Sequence, residues 1–222
     1  MKSKWLFVIP LCIFSLATIA LTKQDDLWIK AVKDEYGERA SRRVNAWREL
    51  ITELDNQVER EQLASVNQFF NQLYFVDDIK LWEKKDYWAT PLEFLGSNAG
   101  DCEDFTIAKY FSLLELGVSD KKLRLIYLKA LELNQFHMVL AYYPTPSSVP
   151  LILDNIDKEI KPATERTDLL PIYSFNGQHL WLMKGNGNGQ QAGKSSRLSL
   201  WNDLRARNKG LRLNHPILNY DE

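Results

Sequence analysis

The chain is poor in cysteine and histidine and carries almost no net charge. Its two cysteines and three histidines do not cluster at the spacing of a zinc site. The 28 basic and 29 acidic residues leave a net charge of −1, so the composition gives no reason to expect a nucleic-acid or membrane-surface partner. Hydrophobic residues make up 45% and charged residues 26% of the chain, which is the balance of a globular protein.

The N-terminus has the composition of an export signal. Lys2 and Lys4 precede a run without charge from Trp5 to Thr22, and small residues follow near the end of that run. A basic start, an apolar centre and small residues before a polar chain are typical of a secretory signal. We therefore predict a signal peptide over residues 1–22 and export to the periplasm. The alternative interpretation is a retained membrane anchor, because about 18 apolar residues are at the lower limit for spanning a bilayer.

Removal of the signal would leave the exported chain with one cysteine. Cys12 lies inside the apolar run, so only Cys102 would remain. Cysteines of exported proteins normally pair in disulfides. An unpaired thiol in such a protein indicates either a reactive group or a buried, inert one.

The remaining chain, residues 23–222, is predicted to form one α+β domain. Residues 23–75 carry apolar residues three and four positions apart, which is typical of helices, and residues 76–100 are expected to be irregular. A largely apolar helix is predicted to begin near Cys102 and to end at Gly117. Further along, the periodicity becomes that of strands, followed by a flexible polar loop over residues 184–194 and a closing helix. The predicted strands cover residues 123–131, 137–143, 149–155, 171–175 and 179–184.

The order of these elements predicts a catalytic constellation. His137 opens the second strand, and pairing of the second and third strands places it opposite Asn155, one position from Asp154. A cysteine at a helix N-terminus, a histidine on one strand and an aspartate on its neighbour suit nucleophile, base and orienting acid. The helix dipole favours the thiolate of Cys102. Each residue alone is more often structural; the combination favours catalysis.

The segment from 86 to 118, "DYWATPLEFLGSNAGDCEDFTIAKYFSLLELGV", closely resembles the bacterial transglutaminase-like cysteine proteinases, the LapG-type periplasmic proteases. The densest similarity covers about residues 86–184. The resemblance implies a papain-like or transglutaminase-like core, with N-terminal helices and a central helix that carries the nucleophile and packs on an antiparallel sheet. It places the nucleophile at Cys102, the base at His137 and the orienting acid at Asp154.

The resemblance also implies a function and partners. Family members are calcium-dependent endopeptidases that cut a large cell-surface adhesin near its N-terminus at a di-alanine site, which releases the adhesin and disperses biofilm. An inner-membrane cyclic-di-GMP receptor sequesters the protease through its periplasmic domain. The expected partners are therefore an adhesin substrate and this receptor domain, with no nucleic acid.

The resemblance further implies a calcium site that includes Asp101 and Glu103, and we add Asp86 as a third ligand. Ca²⁺ takes six to eight oxygen ligands, which a loop with several carboxylates can supply. By spacing alone, the acids around Cys102 are more simply explained as residues of the first helical turn. The resemblance favours the calcium interpretation.

Two other functions stay open on the sequence. The same thioester intermediate resolved by an amine would make the protein a transglutaminase-type acyl transferase. A non-catalytic binding domain with Cys102 as a structural thiol is the other alternative. The aromatic residues Trp82, Tyr87 and Trp88 fit a substrate groove or a partner surface as well as a core position.

Overall fold

The computed structural model describes residues 21–184 and 188–221. The predicted signal peptide therefore lies outside the described residues, apart from its last two positions. Within the described ranges, no helix combines the length and the apolar character needed to cross a membrane.

Three amphipathic helices occupy the N-terminal third, as predicted: α1 (Lys23–Tyr36), α2 (Glu38–Leu54) and α3 (Glu59–Phe70). Their apolar faces contribute to the main core, and a buried charge also joins them to the rest of the fold. The Arg48 guanidinium on α2 is 5% exposed. It donates to Asp25 Oδ1 on α1 at 2.5 Å and to Glu115 Oε2 at 2.8 Å. Ion pairs of Arg48 thus connect α1 and α2 to the segment that follows Cys102.

The connection over residues 76–100 is more regular than predicted. It contains α4 (Asp78–Leu81) and α5 (Pro91–Ser97), and a two-residue parallel pairing joins β1 (Tyr74–Phe75) to β2 (Ala99–Gly100). The prediction of an irregular segment was wrong for α5. Thr90 and Glu93 form a capping box around Pro91 at the first helical positions, a start signal that a short helix can still use.

Helix α6 (Cys102–Glu115) confirms the predicted central helix. Phe105, Ile107, Ala108, Tyr110 and Leu113 are all buried, so the helix is surrounded by core on most sides. It ends two residues before Gly117, whose φ of +86° is a conformation that favours glycine. The first residue of this enclosed helix is the predicted nucleophile.

The sheet that receives α6 has seven strands in the order β6-β5-β4-β3-β7-β8-β9, and every pairing within it is antiparallel. This confirms the predicted α+β class. Its strands are β3 (Leu123–Ala130), β4 (Gln135–Tyr142), β5 (Leu151–Leu153), β6 (Lys161–Pro162), β7 (Leu169–Phe175), β8 (His179–Lys184) and β9 (Asn188–Lys194).

One strand prediction was wrong, and one register differs from the expected one by a single residue. Residues 188–194, predicted as part of a flexible loop, form the edge strand β9. Its glycines have low strand propensity, so its pairing with β8 outweighs its local preference. The predicted register between β4 and β5 is displaced by one residue, because Leu140 pairs with Leu153. The strand pairing ends there, and Asp154 follows the last residue of β5.

Helix α7 (Ser199–Gly210) confirms the predicted closing helix. Trp201, 1% exposed, packs edge-on against Tyr110 of α6 at 5.7 Å between ring centroids. Arg207 of the same helix forms a buried ion pair with Glu93 of α5. The C-terminal helix thereby covers α6 and fixes the segment that precedes it.

Candidate active site

The N-terminus of α6 is positioned by close backbone packing. Gly100 precedes it, and a Cβ at that position would lie 2.4 Å from Asp104 Oδ2, so only glycine fits. Asp104 is fully buried. Its carboxylate accepts the Ala89 amide at 2.7 Å and the Asp101 amide at 3.2 Å. Asp104 therefore binds the incoming chain to the first turn of the helix that begins with Cys102.

The Cys102 thiol is partly buried and donates a hydrogen bond to Glu103 Oε2 at 2.7 Å. Among the described residues, no hydrogen bond joins it to His137. Burial, together with the charges of Glu103 and Asp101, raises the pKa of the thiol well above its usual value, against a smaller opposite effect of the Met138 backbone. Burial and the two flanking acids therefore both oppose formation of the thiolate at Cys102.

His137 and Asp154 form a buried pair. His137 Nε2 lies 2.7 Å from Asp154 Oδ1, and both side chains are within 1% of complete burial. Because the carboxylate can only accept, Nε2 carries the proton and Nδ1 is left as the basic nitrogen. The sequence predicted this contact from strand order, although Asp154 reaches His137 from beyond the end of β5 rather than from within a paired strand.

Helix α6 brings Cys102 to the same strand. One turn after Cys102, the Thr106 hydroxyl lies 2.9 Å from the carbonyl oxygens of both Cys102 and Met138. Met138 directly follows His137 on β4. The structure therefore places the start of α6 against the strand position next to the His137–Asp154 pair.

Three buried side chains that the sequence did not single out hold Asp154 in place. Arg166 Nη2 donates to Asp154 Oδ2 at 2.9 Å, and the Arg166 guanidinium is itself held by Asp168. Lys109 Nζ and Asn71 Nδ2 donate to the Asp154 backbone oxygen at 3.1 and 2.8 Å. Lys109 is visible in the sequence only as a charge on the apolar face of α6. Arg166 and Asn71 give no sequence signal.

These contacts set the charge of the pair. Burial opposes ionisation of Asp154, but hydrogen bonds and charge from His137 and Arg166 lower its pKa to about 2. Burial lowers the pKa of Lys109 to about 7. Asp154 is therefore a carboxylate at neutral pH, able to orient His137 and to stabilise its protonated form.

The other two histidines lie in different surroundings. His179 packs against Trp181 with ring centroids 5.5 Å apart, and the exposed His215 pairs with Glu35 at 3.1 Å. Among the three, His137 alone is joined to a buried carboxylate.

A cluster of acids surrounds the start of α6 and extends to the preceding connection. Oxygen atoms of Asp78, Asp86 and Glu103 lie within 4.8 Å of one another, as do those of Asp78, Asp101 and Asp104. Asp101, Glu103 and Asp86 were predicted from the sequence. Asp78, which belongs to both groups, was missed because it lies in α4, remote in sequence from Cys102.

Within the described ranges, no basic side chain forms an ion pair with any acid of this cluster. Asp78 Oδ1 and Asp101 Oδ1 are buried and have no hydrogen-bond partner. Burial and the neighbouring acids raise the pKa of Asp78 to about 7 and that of Asp101 to about 12. Burial and Glu103 also raise the pKa of Asp86. Clustered carboxylates, two of whose oxygens have no donor, are the ligands that a hard divalent cation prefers, so the residues present fit such an ion.

A small cavity opens beside these acids. It has a volume of about 270 Å³, and Asp86 and Glu103 share its lining with the aromatic rings of Trp88, Tyr127 and Tyr173. Trp88 also stacks on Phe175 at 5.6 Å and, like Trp82 and Tyr87, is 5% exposed. The three aromatic residues left open by the sequence are thus core residues, and Trp88 additionally reaches the cavity wall.

The helix that begins at a cysteine, packed on an antiparallel sheet with a buried His–Asp pair, defines the transglutaminase-like class of cysteine protease folds. Residues 28–178 match the family model described as bacterial transglutaminase-like cysteine proteinase. The chain belongs to this family, and it is a cysteine protease of the LapG type. No curated protein matches the chain in sequence.

Solved structures of LapG from Legionella pneumophila are similar over most of the chain. An EGTA-treated form is 41% identical with a TM-score of 0.73, and the similarity covers 85% of this chain and 99% of that one. A calcium-bound form is 42% identical with a TM-score of 0.72, covering 82% and 98%. The family and fold expected from the sequence are thereby confirmed.

Proposed function

We propose that the protein is a calcium-dependent endopeptidase in which Cys102, His137 and Asp154 form the catalytic triad. The observation that carries the proposal is the buried His137–Asp154 pair beside the strand position against which the first turn of α6 is held. The family supplies the reaction class, and this chain offers one cysteine among the described residues. Our proposal assigns that reaction to three named residues.

The residue roles follow from which atoms are free. Asp154 holds the proton of His137 on Nε2, so Nδ1 is the atom that accepts the thiol proton and later returns it to the leaving amine. For this step, the Cys102 side chain turns from Glu103 towards His137. The Cys102 thiolate then attacks the scissile carbonyl, and water hydrolyses the thioester that results. The backbone amide of Cys102 is the proposed oxyanion donor at the helix N-terminus.

We propose that Ca²⁺ binds to Asp78, Asp86, Asp101 and Glu103. The uncompensated carboxylates support this assignment, as does the calcium-bound form of the Legionella pneumophila relative. The ion would supply positive charge to a loop that otherwise carries only acids. Asp101 and Glu103 flank Cys102, so the same residues that hold the ion present the nucleophile. Asp104 remains hydrogen-bonded to the backbone amides of Ala89 and Asp101.

The proposed substrate is a large cell-surface adhesin, cut near its N-terminus at a di-alanine site in the periplasm, which releases the adhesin and disperses biofilm. The proposed regulator is the periplasmic domain of an inner-membrane cyclic-di-GMP receptor. The family resemblance of residues 86–184 supports both, together with the predicted export signal over residues 1–22. Deletion of the gene should leave the adhesin on the cell surface, and restoration of the wild-type chain should release it.

The proposal is tested with purified protein and an alanine-rich N-terminal adhesin fragment. Cleavage is expected with Ca²⁺ and not with EGTA, and Cys102→Ala and His137→Gln should abolish it. His215→Gln is the matched control, since this exposed histidine should be replaceable without loss. Undiminished cleavage by Cys102→Ala would refute the triad, and equal cleavage with EGTA would refute the calcium requirement. Incorporation of a primary amine without peptide cleavage would instead indicate acyl transfer.

A further inference from the structure

The sheet has a second apolar face that α6 does not cover. Side chains alternate along a strand, so Ile126, Leu128, Val139 and Ile152 lie on the face opposite the main core. They form a separate buried cluster with Ala141 and Tyr143. Irregular segments border this cluster, and a cavity of about 740 Å³ opens between them. We refer to this cavity as the outer groove.

One end of the outer groove is marked by a buried donor without an acceptor. Arg166 lines the groove and is 6% exposed. Its Nη2 and Nε bind Asp154 and Asp168, whereas Nη1 is buried and has no hydrogen-bond partner. An unpaired buried N–H is costly, so it favours a ligand that brings an acceptor. Because two carboxylates already surround this guanidinium, a neutral carbonyl suits the position better than a further anion.

The other end of the outer groove carries a cation without a carboxylate partner. The Arg124 guanidinium lies 4.7 Å from the ring centroid of Tyr143 and 4.2 Å from that of Trp181. Among the described residues, no acid forms an ion pair with Arg124, and no acid lines the groove. This end therefore suits a negatively charged group.

The spacing of the two ends fits an extended chain. Arg124 and Leu128 are four residues apart on β3, and Leu128 pairs with His137, the partner of Asp154. At about 3.3 Å per residue, four residues of strand span roughly 13 Å. An extended peptide of similar length offers apolar side chains to the floor, a backbone carbonyl to Arg166 and an acidic side chain to Arg124.

We propose that the outer groove is a peptide-binding site that takes an extended apolar segment of a partner protein carrying one acidic residue. The site lies on the sheet face opposite α6 and goes beyond the proposed protease function. Arg166 is shared with the His137–Asp154 pair, so the test rests on Arg124, whose contacts are the rings of Tyr143 and Trp181.

The test uses the Cys102→Ala protein, so that no probe can be cut. The probes are acetyl-Val-Leu-Val-Glu-amide and acetyl-Glu-Val-Leu-Val-amide, each with a counterpart in which glutamine replaces glutamate. Amide chemical shifts of the ¹⁵N-labelled protein report the site and the affinity. The better glutamate probe is expected to shift residues of β3, β4 and 163–169, and to bind roughly tenfold more tightly than its glutamine counterpart.

Variants assign that preference to Arg124. Arg124→Gln should bind the two counterparts equally, whereas Arg124→Lys and the surface control Arg212→Gln should keep the preference. Equal binding of both counterparts by the unsubstituted groove, or a preference that survives in Arg124→Gln, would overturn the proposal. Chemical-shift changes confined to the surroundings of residue 102 would also overturn it, because the peptide would then bind at the active site. Tighter binding of octanoate than of the peptides would indicate a fatty-acid site. Dimerisation that is lost in Val149→Asp would indicate that a second copy of the chain covers the groove.

Discussion

At the scale of single residues, the site depends on how firmly one carboxylate is held. Asp154 accepts hydrogen bonds from His137, Arg166 and the Ile156 amide, while its backbone oxygen accepts from Lys109 and Asn71. The side chain and the backbone of this residue are both fixed by buried groups. Such positioning lets the imidazole of His137 keep one orientation, which a general base requires.

The low pKa of Asp154 makes protein stability depend on pH. Its pKa is about 2 in the folded protein and about 4 in an unfolded chain. Ionised Asp154 therefore contributes stability that is fully present above pH 4 and is lost as the pH falls towards 2. The contribution is about 2–3 kcal/mol. The free energy of unfolding should consequently differ more between wild type and Asp154→Asn at pH 6 than at pH 2.5.

Chemical denaturation at the two pH values measures this difference. Glu132→Gln, which replaces an exposed acid, is the control and should show no comparable change. A difference between wild type and Asp154→Asn that stays constant with pH would contradict the assigned charge state.

Arg166 is predicted to be a positioning residue for the protease reaction. Arg166→Gln removes a charge-assisted hydrogen bond to Asp154, a type worth about 1.5–3 kcal/mol. We expect kcat to fall roughly 10- to 100-fold with little change in KM. Loss of this positive charge also raises the pKa of Asp154, so the acid limb of the pH profile should move to higher pH.

Arg166→Lys keeps the positive charge and should restore part of the activity, whereas Arg212→Gln, on the surface, should behave as wild type. A lower yield of folded protein with an unchanged kcat and pH profile would show that Arg166 is only structural.

At the scale of secondary-structure elements, the site is a contact between α6 and β4. Thr106, 2% exposed, connects the two by placing its hydroxyl between the carbonyl oxygens of Cys102 and Met138. Thr106→Val keeps the shape but removes the donor. It should lower the free energy of unfolding by about 1–2 kcal/mol and reduce kcat, because the start of α6 is then free to shift relative to His137.

Thr106→Ser retains the hydroxyl and is the matched control. Urea denaturation and steady-state kinetics on both variants separate the two effects. Loss of activity in Thr106→Ser with wild-type activity in Thr106→Val would show that the methyl group rather than the hydrogen bond is responsible.

The elements themselves were largely predictable, and the failures have physical causes. Helix α6 and strands β3, β4 and β8 follow from apolar periodicity, because burial on one or both faces imposes it. Strand β9 was missed because its glycine- and glutamine-rich sequence is typical of a loop. Its strand conformation depends on pairing with β8. The one-residue error in the β4–β5 register arose because the loop between the strands does not fix the register from sequence alone.

At the scale of the whole molecule, the site residues come from segments that are far apart in sequence. His137 and Asp154 could be paired from strand order, since neighbouring strands form a hairpin. Arg166 and Asp78 could not, because no local pattern links them to Cys102. Only the packing of the N-terminal helices and the connection against α6 brings Asp78 to the acidic cluster. Contacts between segments that are remote in sequence leave no periodic pattern of residues, so they cannot be predicted from one sequence.

Calcium should therefore stabilise the fold as a whole. An ion held by Asp78, Asp86, Asp101 and Glu103 would join α4 and the following connection to the start of α6. At a Ca²⁺ concentration of about 100 Kd, binding to the folded state adds about 2.7 kcal/mol. For a chain of this size, that corresponds to a rise in Tm on the order of 5–10 °C. Differential scanning calorimetry with Ca²⁺, Mg²⁺ or EGTA measures it.

Asp78→Asn gives the sharper form of this prediction, because its effect should change sign with the metal. In EGTA, the variant removes a buried carboxylate from a group of like charges and should unfold at a Tm equal to or above that of wild type. With Ca²⁺, it lacks a ligand, so its Tm should rise less and fall below that of wild type. Glu132→Gln should follow wild type in both conditions. If Ca²⁺ raises the Tm of wild type and of Asp78→Asn by the same amount, Asp78 is not a ligand of the ion.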